Sequence, residues 1–411
     1  MCRLSPDTLA GERSGRLRVR VLSPLLLALA ALGGGCQWDS GASARRPATV
    51  RDSAGVAIVH NPGPPSGNAC ASLRLHPLLT IPARRDLAAV PSLYKVRGAT
   101  RLGDGRLVVL NAGTEQLLLF TPGGEPTAAV GRRGGGPGEF VGPDWLGRAG
   151  GDTLLVWDTR LNRLSFFHAG SFLRSLTLPG RPSVRGRFPD GSLLVRPVAL
   201  VKVSGDGLVK RDSLSYERLD LVQEATTTLV TGLSAEWVDA KTGPYDLPFG
   251  HGDMFVAHGP SLVGGDTGQP AIRFYDLAGR LHRIVTWASP AVRVSSEDRR
   301  RVWAHWSQSR PGRDARPPEM GAVRPRFSAI RSDSEGWLWV REYRAPWEES
   351  ASWLLFDPVG VRRCRIETPG NLTVLEIGKD YLLGRLEEED GEESVALFGL
   401  RRQTEQPDES R

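Results

Sequence analysis

Turn-and-strand units recur along this chain at intervals of roughly 40–50 residues, and this period constrains the fold more than any other feature of the sequence. Each unit has a Gly/Asp turn, an apolar strand, a few polar residues, a second strand that ends in Phe or Tyr, and a third strand. The units begin near residues 104, 151, 190, 254, 335 and 373. About four short strands per unit are typical of propeller blades.

The last unit supplies only three strands, and the segment 73–81 (LRLHPLLTI) is the candidate for the missing one. Pairing strands from the two chain ends removes the exposed edges of an open array. We therefore predict an all-β chain folded as a six-bladed β-propeller whose N-terminal strand closes the last blade. Residues 37–60 are then expected to be dispensable for the ring.

The segment 294–310 interrupts this repeat of turns and strands. Ser295 and the residues after it offer a helix N-cap, and Val302, Trp303 and Trp306 fall on one helical face. We predict a short helical insertion that lies over a propeller face, followed by a Pro-rich, basic loop. This insertion is either a crossover between blades or a lid over the central funnel.

The first 36 residues are typical of a secretion signal. Four arginines between residues 13 and 20 precede an apolar run at 21–32, and three glycines lead to Cys36. The Cys after small residues resembles a bacterial lipoprotein signal, in which that Cys receives lipid. Gly33 stands where such signals prefer Leu, so an ordinary cleaved signal or an uncleaved anchor is the alternative.

We divide the chain into a signal (1–36), a tether (37–53), the propeller (54–402) and a charged tail (403–411). The net charge is +7, and it falls to about +4 without the signal, with the basic residues scattered among 46 acidic ones. This distribution does not indicate nucleic-acid binding. We expect a monomer in the periplasm or at the outer membrane that contacts membrane only through its anchor.

Two cysteines, Cys70 and Cys364, remain after Cys2 leaves with the signal and Cys36 is lipidated. An oxidising compartment would allow them to form a disulfide. Two independent thiols are the alternative, because sequence alone does not give their separation in space.

The string GRRGGGPGEF at 131–140 is the most distinctive local motif. Its glycines are expected to supply backbone conformations closed to other residues, with Phe140 packing into the ring. It is not a phosphate-binding P-loop, since Glu139 follows the last Gly where Lys is required. A small anion bound by exposed amides with Arg132 and Arg133 is the functional alternative.

Together with the Asp-Gly turns and FTPGG, the strings RDSAGVAIVHN, GRRGGGPGEF and PRFSAIRSDSEGWLWVREY resemble a family of bacterial six-bladed propeller lipoproteins related in cadence to NHL-type propellers. The resemblance extends over about residues 50–402. It implies the fold but no activity, since propellers carry many functions.

No catalytic motif is present in complete form. The chain has no Gly-x-Ser-x-Gly elbow and no Cys-x-x-Cys, and its seven His are not spaced as a zinc site, so we predict no metal site and no cofactor. The alternative is a Ca²⁺-dependent propeller hydrolase of the lactonase type, with Asn111, Asp158 and Asp266 as candidate ligands. Turn chemistry explains the same three residues.

The leading functional hypothesis is a non-catalytic binding or scaffold protein for a protein, peptide or glycan of the envelope. A purely structural envelope component is the third class. If the loop 131–140 and the segment 310–326 line one face, Arg132, Arg133, Arg324 and Arg326, with Glu139 between them, form a rim suited to an acidic peptide or an anionic glycan. The alternative is that these arginines only pair with neighbouring carboxylates.

Lipidation at Cys36 can be tested by labelling. Cells that express the chain should incorporate radiolabelled palmitate into it, and Cys36→Ser should remove the label because the acceptor thiol is lost. Label retained in the variant would exclude this Cys as the lipid site.

Overall fold

Buried apolar strands and exposed outer strands alternate regularly along the chain. The computed structural model describes residues 47–63, 70–82, 92–198, 203–309, 318–388 and 390–402. All of them belong to the unit that runs from Ala44 to Arg411. The signal with Cys36, the tether up to residue 46 and the tail at 403–411 lie outside the described residues.

The described residues form one helix and a series of short strands. In the first half of the chain these are β1 (Thr49–Ser53), β2 (Val56–Asn61), β3 (Ala71–Leu73), β4 (Leu79–Ile81), β5 (Val96–Arg101), β6 (Leu107–Asn111), β7 (Gln116–Phe120), β8 (Pro126–Val130), β9 (Pro143–Gly150), β10 (Thr153–Asp158), β11 (Arg163–His168), β12 (Ser171–Thr177), β13 (Ser183–Arg187) and β14 (Leu193–Arg196). In the second half they are β15 (Val209–Lys210), β16 (Ser213–Asp220), β17 (Ala225–Leu233), β18 (Trp237–Val238), β19 (Tyr245–Asp246), β20 (Asp253–His258), β21 (Ser261–Asp266), β22 (Ala271–Tyr275), β23 (Leu281–Trp287), α1 (Ser296–Ser309), β24 (Phe327–Ser332), β25 (Leu338–Glu342), β26 (Ser350–Phe356), β27 (Arg362–Pro369), β28 (Leu372–Ile377), β29 (Tyr381–Glu387) and β30 (Glu393–Arg402).

Six sheets of antiparallel strands and one small sheet account for the strands in the described ranges, apart from β1 and β2, which extend one of the six. The six are β5–β8, β9–β12, β13-β14-β16-β17, β20–β23, β24–β27, and β28–β30 completed by β3 and β4. The middle strand β6 is buried along its whole length and is apolar up to its last residue, because a neighbouring sheet covers each face. The outer strand β8 is largely exposed.

Hydrophobic clusters join each of these sheets to the next and the last to the first. Phe140 and Leu110, for example, belong to the cluster between the β5–β8 and β9–β12 sheets. Val395 and Leu118 belong to the one that joins the final sheet to the β5–β8 sheet. Four further clusters complete the circuit. The chain is a β-propeller, as the repeat of turns and strands in the sequence predicts.

Segments from near the N-terminus complete the last sheet, which confirms the predicted closure. The predicted single strand at 73–81 is two short strands, β3 and β4, on either side of an interruption. Both pair antiparallel with β30, β4 at Val395 to Leu397 and β3 at Leu400 to Arg402. Pro77 lies in the interruption and cannot donate to a ladder, which explains the break.

A disulfide reinforces this closure. Cys70 precedes β3, and Cys364 lies on β27, the outer strand of the preceding sheet. Their Cα atoms are 5.5 Å apart although 294 residues separate them in sequence. Of the two alternatives that the sequence leaves open, the structure has the paired one.

Strand β2 adds an unexpected element. It pairs parallel with β23, and β1 forms a hairpin with β2 at the outside of the same sheet. Val59 of β2 is buried, and Asn61 donates to the carbonyl oxygens of Thr286 and Gly360. The residues 49–53, assigned to the tether by the sequence, lie in β1. The expectation that residues 37–60 are dispensable therefore changes.

Truncation can separate these contributions. Removal of residues 37–48 should leave thermal stability unchanged, whereas removal of residues 37–61 should destabilise the chain because it deletes Val59 and opens the edge of β23. A deletion that continues through Ile81 should also remove the partners of β30 and cause aggregation. Thermal unfolding and gel filtration would measure this, and three equally stable and soluble truncations would contradict it.

The disulfide should contribute measurably to stability. The paired substitution Cys70→Ala and Cys364→Ala should lower the unfolding free energy by about 2–4 kcal/mol, since a cross-link over a long loop restricts the unfolded chain. Thermal denaturation with and without a reductant is the measurement. The reductant should leave the double variant unchanged, and an equal response of both proteins would refute the link.

Candidate functional site

One face of the propeller carries two insertions that form a cap. The first is the small sheet β15-β18-β19, whose strands come from two different loops around β16 and β17. The ammonium of Lys210 lies 2.5 Å from the carboxylate of Asp239, which also accepts from the backbone amides of Ser204 and Gly205. This pairing lowers the pKa of Asp239 below its usual range, chiefly through Lys210. The small sheet was not predicted.

The second insertion is the helix α1, which the sequence predicted. Ser295 caps it: its hydroxyl accepts from the amide of Asp298, and the carboxylate of Asp298 accepts from the amide of Ser295. The Trp306 ring lies 4.6 Å from that of Tyr245, measured between centroids, so the helix contacts the small sheet. The helix and the small sheet therefore form a continuous cap.

A cleft of about 680 Å³ lies between the small sheet and β13, the first strand of the sheet β13-β14-β16-β17. Arg185 and Arg196 contribute positive charge to it, and Trp237 and Tyr245 line its opposite wall. Burial, followed by repulsion from Arg196, lowers the pKa of Arg185. Neither arginine forms an ion pair with another described residue. Asp212 and Asp246 also line the cleft, so its formal charges balance, although no carboxylate holds either arginine in an ion pair within the described residues.

Apolar side chains border the same cleft. Val198 is 67% exposed and Val203 is 54% exposed, although both are large enough to be buried in most folds. Asp212 and Asp246 are the acidic residues of the lining, and the carboxylate of Asp212 accepts a hydrogen bond of 2.7 Å from Nε1 of Trp237. The cleft therefore offers a ligand both exposed apolar surface and two arginines that no carboxylate of the described residues holds in an ion pair.

A narrow channel of about 330 Å³ adjoins this cleft through Arg185. Residues of all six first strands (β5, β9, β13, β20, β24 and β28) line it. Gly98 and Gly186 allow these strands to approach closely: a Cβ at Gly98 would lie 2.8 Å from Cβ of Leu146, and one at Gly186 would lie 3.1 Å from Cβ of Ala257. The channel is the propeller axis.

The loop 131–140 is folded on itself. Arg132 donates to Glu139 over 2.6 Å, and the same carboxylate accepts from the amide of Gly136 at 2.7 Å. These contacts, with Arg132 first, lower the pKa of Glu139. The carboxylate thus occupies the amide of Gly136, one of those that the sequence offered to an anion. Phe140 is fully buried, as predicted.

The two arginines of the other predicted loop are turned to internal partners. Arg324 pairs with Asp298 of the helix and with Glu348, at 2.6 and 2.8 Å. Arg326 donates to the carbonyl oxygen of Pro290. This loop and the loop 131–140 each connect the last strand of one sheet to the first strand of the next, so they open on the same face of the propeller.

Those two loops are not adjacent, because three sheets lie between them in either direction around the circuit. No contact joins them within the described ranges. The backbone of Arg133 forms an isolated β-bridge with that of Phe140. A shared rim of Arg132, Arg133, Glu139, Arg324 and Arg326 stays a prediction, with three of its four arginines already engaged.

The candidate Ca²⁺ ligands organise turns in their own sheets. Asp158 is fully buried and accepts from the amides of Val141, Gly142, Arg160 and Leu161. Asn111 accepts from the amide of Tyr94 and donates to the carbonyl of Ser92. Asp266 accepts from the amide of Gly268 and pairs with Arg211. In the described part of the chain no three His, Cys, Asp or Glu residues group as metal ligands do.

The residues of the cleft and the channel were missed by sequence reasoning. A signal was present, since the tripeptide Val-Arg-Gly occurs at 96–98 and again at 184–186, in the first strands of two different sheets. In both strands the register with the next strand shifts at the arginine, and such bulges redirect a side chain. A recurring Arg-Gly at one position of the repeat thus marked the axis.

Comparisons with known proteins give weak similarities. No family model matches the chain, and no curated protein matches its sequence. A candidate exported protein of Bacteroides fragilis superimposes with a TM-score of 0.47 at 12% identity, over 84% of this chain and 100% of that one. A duf4221 family member from Bacteroides vulgatus gives 0.45 at 11%, over 81% and 99%. Virginiamycin B lyase from Staphylococcus aureus gives 0.38 at 10%, over 74% and 94%. Similarities of this size assign neither a family nor an activity to the chain.

Proposed function

We propose that this chain is an exported, lipid-anchored protein of the bacterial envelope whose six-bladed propeller binds a partner and catalyses no reaction. The partner is an acidic peptide segment that carries apolar side chains between its carboxylates. The observation that carries this proposal is the cleft, where Arg185 and Arg196 lie beside the exposed Val198 and Val203.

The six-blade count is supported by the circuit of sheets. Six sheets contact their neighbours through six hydrophobic clusters, and the channel is lined by the first strand of each. One blade per sheet accounts for both observations. The small sheet lies in the cap and lines no part of the channel.

Export is supported by two independent features. The first is the signal-like segment that ends at Cys36. The second is the pair Cys70–Cys364, because structural disulfides persist in oxidising compartments and are rare in the cytosol. No described helix has the length and apolar character needed to cross a membrane.

The chemistry of the cleft favours a peptide over a glycan. Arginine forks bind carboxylates with two parallel hydrogen bonds, and neither Arg185 nor Arg196 is ion-paired with a carboxylate of the described residues. The exposed valines would be buried by apolar side chains of a peptide, which a polyhydroxylated sugar lacks. Bound carboxylates would also relieve the repulsion between Arg185 and Arg196.

A defined peptide pair tests the proposal. A fluorescein-labelled peptide of alternating Glu and Leu should bind the full chain, purified in mild detergent, and a peptide of alternating Lys and Leu should not. Arg196→Glu should weaken binding by about tenfold or more, since it replaces an attraction by a repulsion in a partly desolvated cleft. Fluorescence anisotropy is the measurement.

Arg51→Glu is the matched control, because Arg51 lies on the exposed strand β1 away from the cleft. It makes the same charge change and should leave the affinity unaltered. Equal affinity of the wild-type chain for both peptides, or equal weakening by both substitutions, would refute the cleft as the binding site.

A further inference from the structure

The channel at the propeller axis has a charge pattern that the proposed function does not use. Fifteen residues line it, of which four are arginines and none is acidic: Arg97, Arg185, Arg187 and Arg331. These arginines come from β5, β13 and β24, so they approach the axis from three directions. The other lining residues are mainly apolar or glycine, apart from Trp145 and Ser332.

Most of this positive charge is not compensated by the protein. Arg97 has one weak ion pair, with Asp144 at 3.8 Å. Arg331 donates only to neutral carbonyl oxygens, those of Val374 and Ile330, at 3.0 and 2.9 Å. Arg185 and Arg187 have no carboxylate within ion-pair distance among the described residues. Among the described residues, Asp144 is therefore the one carboxylate that pairs with any of these four arginines.

The surroundings make this arrangement costly in the absence of an anion. Burial lowers the pKa of Arg331, and repulsion from Arg341 lowers it further. Apolar walls that include Leu146 and Ile330 reduce the local dielectric and strengthen every charge interaction in the channel. A bound anion would gain from the same effect, since low-dielectric walls focus the field of the arginines.

We propose that the channel is a binding site for a tetrahedral, divalent oxyanion such as inorganic phosphate or sulfate. Donors that converge from three strands match a tetrahedral anion better than a planar, monovalent carboxylate, whose two oxygens one arginine fork can satisfy. A volume of about 330 Å³ holds such an anion together with several waters. This site goes beyond the proposed function, and it shares only Arg185 with the peptide cleft.

Calorimetric titration of the full chain, purified in mild detergent, with inorganic phosphate and with sulfate tests this site. Each anion should bind with a stoichiometry near one, and sodium chloride at matched ionic strength should not compete. Both anions also stabilise proteins nonspecifically at high concentration, so the titration stays in the low millimolar range, at about 1–5 mM. A saturable rise in the thermal unfolding midpoint should accompany binding.

Arg331→Gln and Arg187→Gln should each weaken phosphate binding by about tenfold. Each removes the positive charge of a side chain that lines the channel but not the cleft. Arg51→Glu is the control: it reverses a charge on the exposed strand β1, away from the channel, and should leave phosphate binding intact. Two channel variants guard against the case in which one fails to fold.

The two proposals can therefore fail separately. Absence of stoichiometric phosphate and sulfate binding to the wild-type chain, or equal binding by the wild type and by a folded channel variant, would overturn the oxyanion site and leave the peptide cleft untouched. Tight acetate binding with the same stoichiometry would also overturn it in favour of a carboxylate site. If the wild-type chain binds phosphate but not the peptide of Glu and Leu, the channel site is supported and the peptide cleft is refuted.

Discussion

The pairing of β30 with two segments from the other end of the chain is the contact on which the rest of the structure depends. Without β3 and β4, the last sheet would have three strands and an open edge, and Ala71 and Ile81 would leave the clusters that join it to both neighbours. A ring has no free end to fray, whereas an open array exposes unpaired backbone at each terminus. The disulfide at Cys70 holds this strand in place. Closure also defines the channel, because the axis exists only when the first strands surround it.

Close approach at the axis determines what the channel can hold. Glycines at 98 and 186 let neighbouring first strands pack with almost no side-chain volume between them, which leaves the space near the axis to the longer side chains beside those glycines. Arg97 and Arg185 each precede such a glycine. Packing and electrostatics are therefore linked: the geometry that tightens the ring also concentrates positive charge inside it.

Charge compensation separates the arginines that hold the cap together from those available to a ligand. Arg324 links the helix to the segment before β24 through Asp298, and Arg132 closes the loop 131–140 through Glu139. Arg185 and Arg196 form no ion pair with a carboxylate in the described structure. The proposed peptide site and oxyanion site both rest on this difference.

The sequence by itself determined the fold class, the closing segment, the helix with its Ser295 cap and the burial of Phe140. Each of these depends on local signals, namely the period of turns and strands, a capping pattern and glycine-rich turn chemistry. Only the tertiary structure decided that Cys70 meets Cys364, that β2 lies parallel to β23, and which arginines lack a carboxylate. These outcomes depend on distances between residues far apart in sequence, 294 positions in the case of the disulfide, and on how many opposite charges reach each arginine. A one-dimensional pattern carries residue types and spacings, and neither quantity can be computed from them.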